Sequence, residues 1–131
     1  MTVQSPALTA SGLSENRLDF TIPLTIHNAG SEPFTFVYCA SSVEARNGDA
    51  WSRAWFPLCA VEGSSPNDVL PGETRTFTVR VVAAIGGFPG STWEAPGIDG
   101  SYRFVAGLIV PGVGGSIPTV ASNEFTLSEA K

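Results

Sequence analysis

The sequence predicts an all-β protein: an antiparallel β-sandwich of about seven to nine strands, folded as a single domain over residues 1–131. Three observations carry this reading. Several segments alternate apolar and polar residues with a period of two, as a strand with one buried face requires. Fourteen Gly and ten Pro punctuate the chain, so turns must be frequent. No stretch of a dozen residues carries a helical stripe.

The clearest strand runs from Leu18 to Ile26, where Leu18, Phe20, Ile22, Leu24 and Ile26 alternate with Asp19, Thr21, Pro23 and Thr25. Pro23 has no N–H to give a ladder, so an edge, a bend or a bulge is expected there. Asn28 to Pro33 supplies turn residues before a second strand, Phe34 to Cys39. Val43 to Arg46 and Ala50 to Trp55 flank Asn47-Gly48, the pair that most readily turns a tight hairpin, which sets the expected tip at residues 47 and 48. Leu70-Pro71-Gly72-Glu73 is a further turn, leading into Thr74 to Ala83 with Phe77, Val79 and Val81 on one face. Gly86 to Gly100 reads as a long loop, of the kind that often carries function. Ser101 to Val110 resumes the alternation with Tyr102, Phe104, Ala106 and Leu108. Pro111 to Pro118 is a second Gly-rich loop, and Ala121 to Ser128 closes the chain with Phe125 and Leu127 on one face. Thr2 to Ser11 is expected to add one edge strand.

Size and charge narrow the function. A chain of 131 residues is long enough to bury a core. Its charge of -5 is spread without clusters, and phosphate binding needs clustered cations, so no nucleic-acid partner is expected. No apolar run approaches the length of a membrane span. Met1 to Gln4 lacks the basic and apolar regions of a signal peptide, so an exported form would have lost its signal.

The order "LTIHNAGSEPFTF", "LPGETRTFTVRV", "GSYRFVAGL", "SNEFTL" resembles the immunoglobulin-like sandwich modules of bacterial secreted proteins and lipoproteins. Its layout is similar to that of the bacterial intracellular proteinase inhibitor domains. The resemblance spans about three quarters of the chain and implies an immunoglobulin-like β-sandwich, with Tyr102 at a sheet corner where its hydroxyl bonds backbone. It implies fold far more than function. The chain departs from antibody-type domains because Leu18 to His27 holds no cysteine, and from the inhibitor-like modules in having a cysteine pair.

The candidate chemistry is sparse. Cys39 and Cys59 are the only cysteines, and with His27 as the single histidine they cannot complete a four-ligand zinc site. Their spacing excludes a C-x-x-C redox pair. Folding back at Asn47-Gly48 puts position 39 near position 56, with Cys59 a few residues past it, so a disulfide is the preferred reading over two buried thiols. A loop of this length closed by a disulfide contributes about 3 kcal/mol in the chain-entropy model, and the bond implies an oxidising compartment. Extracellular, periplasmic or lipoprotein-anchored locations are therefore expected. His27 lies beside a turn with no nucleophile motif, and the carboxylates are dispersed through turns without a dense acidic loop for calcium. "GVGGS" lacks the lysine of a phosphate loop. No catalytic residue, metal or cofactor is expected.

The aromatic residues are the candidate binding surface: Trp51, Arg53 and Trp55 alternate onto one face, and Phe88 and Trp93 lie in the 86–100 loop. In the simpler reading one tryptophan covers the core with Arg53 stacked across it, and Trp93 tucks over an open sandwich end. In the functional one an exposed ring meets a protein or carbohydrate surface. The expected function is thus a non-enzymatic exported module acting in binding, adhesion or as a spacer. The alternatives are a protease inhibitor presenting the Gly86 to Gly100 loop, and a self-associating subunit that adds strands through an edge or its N-terminal segment. An enzyme built on His27 is the weakest reading.

Overall fold

The computed structural model describes residues 2–3, 7–14, 17–57, 68–84, 93–94, 98–110 and 119–129. These hold ten strands: β1 (Thr2–Val3), β2 (Ala7–Ser14), β3 (Arg17–His27), β4 (Phe34–Asn47), β5 (Ala50–Trp55), β6 (Asp68–Val69), β7 (Thr74–Ala84), β8 (Gly100–Ile109), β9 (Thr119–Ala121) and β10 (Phe125–Glu129). The count exceeds the expected seven to nine because β1, β6 and β9 are ladder stubs of two or three residues.

The strands form two sheets. In sheet A, β3 pairs with β7 on one side and with β1 and the second half of β2 on the other. In sheet B the order is β2, β10, β8, β4, β5, with β6 added to β4 and β9 to β8. The sheets are not purely antiparallel, which departs from the expected antiparallel sandwich. β2 runs parallel to β10 through Ala7–Ala10, then turns into sheet A, where Ser11 and Ser14 oppose Asp19 and Arg17. The N-terminal segment is therefore a connector shared by both sheets rather than one edge strand.

The alternation read in Leu18 to Ile26 is realised without a break. Leu18, Phe20, Ile22, Leu24 and Ile26 are all buried, and every residue of β3 from Arg17 to His27 keeps register with β7 from Ala84 to Thr74. The carbonyls of Arg80 and Val82 accept side-chain bonds from outside the sheet, and the ladder bond next to β7 runs from Asn28 N–H to the Glu73 carbonyl. Even-numbered residues of β7 therefore point their backbone groups away from β3, and Pro23 opposite Thr78 is a non-hydrogen-bonded pair. The missing N–H of Pro23 faces the interval between the β2 and β1 pairings, where no ladder bond is lost among the described residues.

Sheet B is more irregular. Phe34 to Cys39 and Val43 to Arg46, expected as separate strands, are one 14-residue strand interrupted by a bulge. Val37 opposes Gly107 and Ser42 opposes Val105, so residues 38–41 lie against Ala106 alone. Ser41 closes the bulge: its hydroxyl donates to the Val37 carbonyl (2.8 Å) and accepts from Gly107 N–H (3.1 Å). Gly107 is required here, since a Cβ would meet Ala40 Cβ and the Ala40 carbonyl oxygen at 2.7 Å.

One core lies between the sheets, joining Phe20, Ile22, Leu24, Val79 and Val81 of sheet A to Phe36, Val43, Trp55, Phe104, Phe125 and Leu127 of sheet B. Phe36 bridges the layers, 5.0 Å from Phe77 and 6.2 Å from Phe104 between ring centroids. Buried Asn28 locks one end: its Nδ2 donates to the carbonyls of Glu32 (2.7 Å) and Val69 (2.9 Å), and its Oδ1 accepts from Gly30 N–H.

Candidate functional site

The hairpin turns one residue later than expected. Asn47 pairs with Ala50, so Gly48 and Asp49 form the tip, and only Gly48 takes a positive φ, of 64°. That is the type II′ pattern, which needs glycine at the first central position, rather than the type I′ pattern that an Asn47-Gly48 tip would adopt. Asn47 instead donates through Nδ2 to Ser52 Oγ (2.9 Å), and Arg46 Nε donates to the Gly48 carbonyl.

The register then breaks at β5. Glu44 opposes Arg53 and Val43 opposes Trp55, leaving Ala54 as an extra residue. Ala54 and Trp55 are both buried, at 0% and 1% exposure. Trp55 therefore lies on the core face and not beside Trp51 and Arg53, correcting the expected three-residue stripe. The period-two pattern fails there because a bulge turns the following side chain to the opposite face. Trp55 Nε1 donates to the Val82 carbonyl at 3.3 Å.

Trp93 is also interior, at 6% exposure. It meets Phe20 edge-on at 6.0 Å and Tyr102 at 5.4 Å, while Glu94 N–H donates to the Ala54 carbonyl at 2.7 Å. Its place on a binding surface is overturned, and the simpler reading of a loop tryptophan covering the core holds. Phe88 lies outside the described residues, as does Cys59. Cys39 is exposed within the β4 bulge and is not a free thiol.

What remains on the outer face of sheet B is a compact array. Trp51 opposes Arg46 and Arg53 opposes Glu44 across the β4–β5 ladder. Arg103 of β8 bonds Glu44 through Nε at 2.7 Å and lies 4.4 Å over the Trp51 ring. Arg103, rather than Arg53, thus stacks on the tryptophan; Arg53 covers Phe56 at 4.2 Å and reaches Glu94 at 3.4 Å. Arg46 pairs with Glu124 at 2.9 Å. Sequence reasoning missed Arg103, whose contact with Trp51 depends on a strand far along the chain. Each cation of the array has a carboxylate partner, so the face offers planar π and guanidinium surfaces without a strong net field.

His27 is exposed, and its Nδ1 lies 2.7 Å from Thr74 Oγ1. Among the described residues, no three His, Cys, Asp or Glu side chains gather to hold a metal, and no helix is long and apolar enough to cross a membrane. At the start of β8 the Tyr102 hydroxyl donates to the Ile98 carbonyl at 2.7 Å. Burial, aided by Asp99, pushes its pKa up to about 12.

Comparison with protein-family models, curated proteins and solved structures finds no match to this chain. Fold and site define the class at the level of an all-β chain of two sheets on one core, one sheet displaying a tryptophan–arginine array on its outer face.

Proposed function

We propose that this chain is a non-catalytic recognition module of the immunoglobulin-like type that works in an oxidising compartment and engages a protein partner through the outer face of sheet B. The observation that carries this is the Trp51 array. Arg103 and Glu44 hold the half-buried ring in place, while Arg53 stays exposed beside it. Tryptophan and arginine are the side chains that most often dominate protein interfaces, and a ring ordered in advance costs little entropy on binding.

The immunoglobulin-like layout is supported by two features. β3 and β7 form one sheet and β10, β8, β4 and β5 the other, which matches the B–E and G–F–C–C′ neighbours of such domains. The Tyr102 bond to Ile98 has the form of a tyrosine corner.

The ladder supports a Cys39–Cys59 disulfide as part of this reading. On the side of β4 away from β8, Val43 pairs with Trp55 and Thr35 pairs with Asp68, so the chain from 55 to 68 is anchored on either side of Cys39. The inhibitor reading needs the 86–100 loop to be presented outward; Trp93 and Glu94 are drawn against the body, which favours recognition by the sheet face.

The test is a panel of extracellular proteins and glycans probed with the wild-type chain, Trp51→Ala and Arg53→Ala, with Thr21→Ala on sheet A as control. Protein targets should lose at least about tenfold in affinity with the first two variants only. Targets that bind all four chains equally, or glycans alone, would sink the reading. Intact mass of the same preparation should rise by two hydrogens on reduction.

A further inference from the structure

We infer that two copies of this chain associate edge to edge through β7, antiparallel about a twofold axis at Thr76, so that sheet A runs on from one copy into the other. The inference rests on the β7 edge and is independent of the recognition face.

Even-numbered residues of β7 aim their backbone groups away from β3, because the carbonyls of Arg80 and Val82 are bonded by Tyr38 and Trp55 from the other sheet. Thr74, Thr76 and Thr78 share that parity, so three N–H and three C=O groups line the outer edge. Among the described residues no strand pairs with that side.

Thr74 to Thr78 is the open part of this edge: the β7 carbonyls capped from the other sheet, those of Arg80 and Val82, lie beyond it, and Arg75 is its one charged side chain. β7 has eleven residues, no Pro, no Gly, no Lys and no bulge against β3. The edge strand of sheet B is shorter and irregular by comparison: β5 has six residues, is bulged at Ala54, and has the Ala54 carbonyl bonded by Glu94 N–H.

The partner is a second copy because the segment is self-complementary. With Thr76 opposite Thr76, Thr74 faces Thr78 and Arg75 faces Phe77 of the other copy. The outward groups of the two segments then satisfy one another completely, as ladder bonds. No two arginines oppose each other directly, and an arginine beside a phenyl ring is a contact this strand already makes, with Arg75 lying 5.0 Å over Phe77. Thr76 facing Thr76 extends a row that already runs from Thr2 to Thr25 to Thr76, with the last two hydroxyls 3.4 Å apart. A twofold pairing uses up the edge, so assembly stops at the dimer. An interface of one short strand pair belongs to the weak class, with dissociation in the range of about 1–100 µM.

Sedimentation velocity over about 1–300 µM tests this. The wild-type chain should pass from monomer to dimer. Thr76→Pro removes an N–H that β3 does not use, and should stay monomeric with an unchanged circular-dichroism spectrum. Thr76→Glu and Thr76→Lys should each stay monomeric, since like charges would face each other, while their equimolar mixture should dimerise. A wild-type chain that remains monomeric, one that grows past the dimer, or charge variants that self-associate as the wild type does would each overturn the inference.

Discussion

The two sheets meet along two seams, and different chemistry closes each. On one side the main chain does it. β2 pairs with β10 through Ala7–Ala10 and then with β3 through Ser11 and Ser14, while β1 adds Val3 opposite Leu24 and its N–H donates to Asn123 Oδ1 at 2.7 Å. On the other side two aromatic side chains reach from sheet B to β7: the Tyr38 hydroxyl donates to the Arg80 carbonyl and the Trp55 indole to the Val82 carbonyl, both at 3.3 Å. A seam made of N–H and C=O groups is spread over many residues and is nearly indifferent to side-chain identity. A seam made of two side chains is concentrated, and single substitutions can open it. Both of its members are delivered by bulges, Tyr38 by residues 38–41 of β4 and Trp55 by the extra residue Ala54 of β5. The irregularities of sheet B thus re-aim the side chains that close it against sheet A.

The largest expected effect breaks the side-chain seam. Trp55→Ala should cost about 3–5 kcal/mol in urea unfolding, through the cavity left by a fully buried ring and the loss of its bond to Val82. Leu8→Ala on the backbone seam, where the side chain is half-buried, should cost less than about 2 kcal/mol. Equal losses would erase the distinction between the seams.

A middle-sized effect acts on the bulge that presents Tyr38. Gly107→Ala places a methyl group 2.7 Å from both Ala40 Cβ and the Ala40 carbonyl oxygen, so the β4 backbone itself must move. The expected cost is about 1–3 kcal/mol, with a change in near-ultraviolet circular dichroism as Tyr38 and Trp55 shift against each other from their 6.4 Å separation. Adding Ala40→Gly should recover only part of the loss, because the carbonyl contact stays.

The same contrast explains what the sequence made legible. Sheet A follows local rules: β3 and β7 keep one register along their whole length, so their faces could be read from period two and their ends to within one residue. Sheet B departs from those rules at two bulges. The first hid the unity of β4, and the second sent Trp55 to the core while Trp51 and Arg53 stayed outside. Bulges depend on what lies across the ladder, here Gly107 for the first, and a partner some 66 positions away leaves no local signature. The hairpin tip moved by one residue for a related reason: Gly48 can occupy either central position of a tight turn, and the cross-strand register decides which. Asn28 looked like one turn residue among several, and only its carbonyl partners on Glu32 and Val69 make it a buried anchor.

The smallest expected effect separates the two tyrosines, the only ones in the chain. Tyr102 belongs to neither seam; it pins the start of β8 through its bond to Ile98, and Tyr102→Phe should cost about 1 kcal/mol at neutral pH. Its alkaline behaviour is the sharper readout. Burial, with Asp99 nearby, raises the Tyr102 pKa to about 12. In the unfolded chain the phenol titrates near about 10, so the folded state holds its proton more tightly. The stabilisation is complete below about pH 10 and is lost as pH rises towards about 12, where the folded phenol also ionises. Burial raises the Tyr38 pKa as well, in the same direction. Urea unfolding at stepped alkaline pH should therefore show a falling stability in the wild type, a shallower fall in Tyr102→Phe, and the least phenol-dependent fall when Tyr38→Phe is added. If Tyr38→Phe alone flattened the slope more than Tyr102→Phe, the seam rather than the corner would be the more tightly closed of the two.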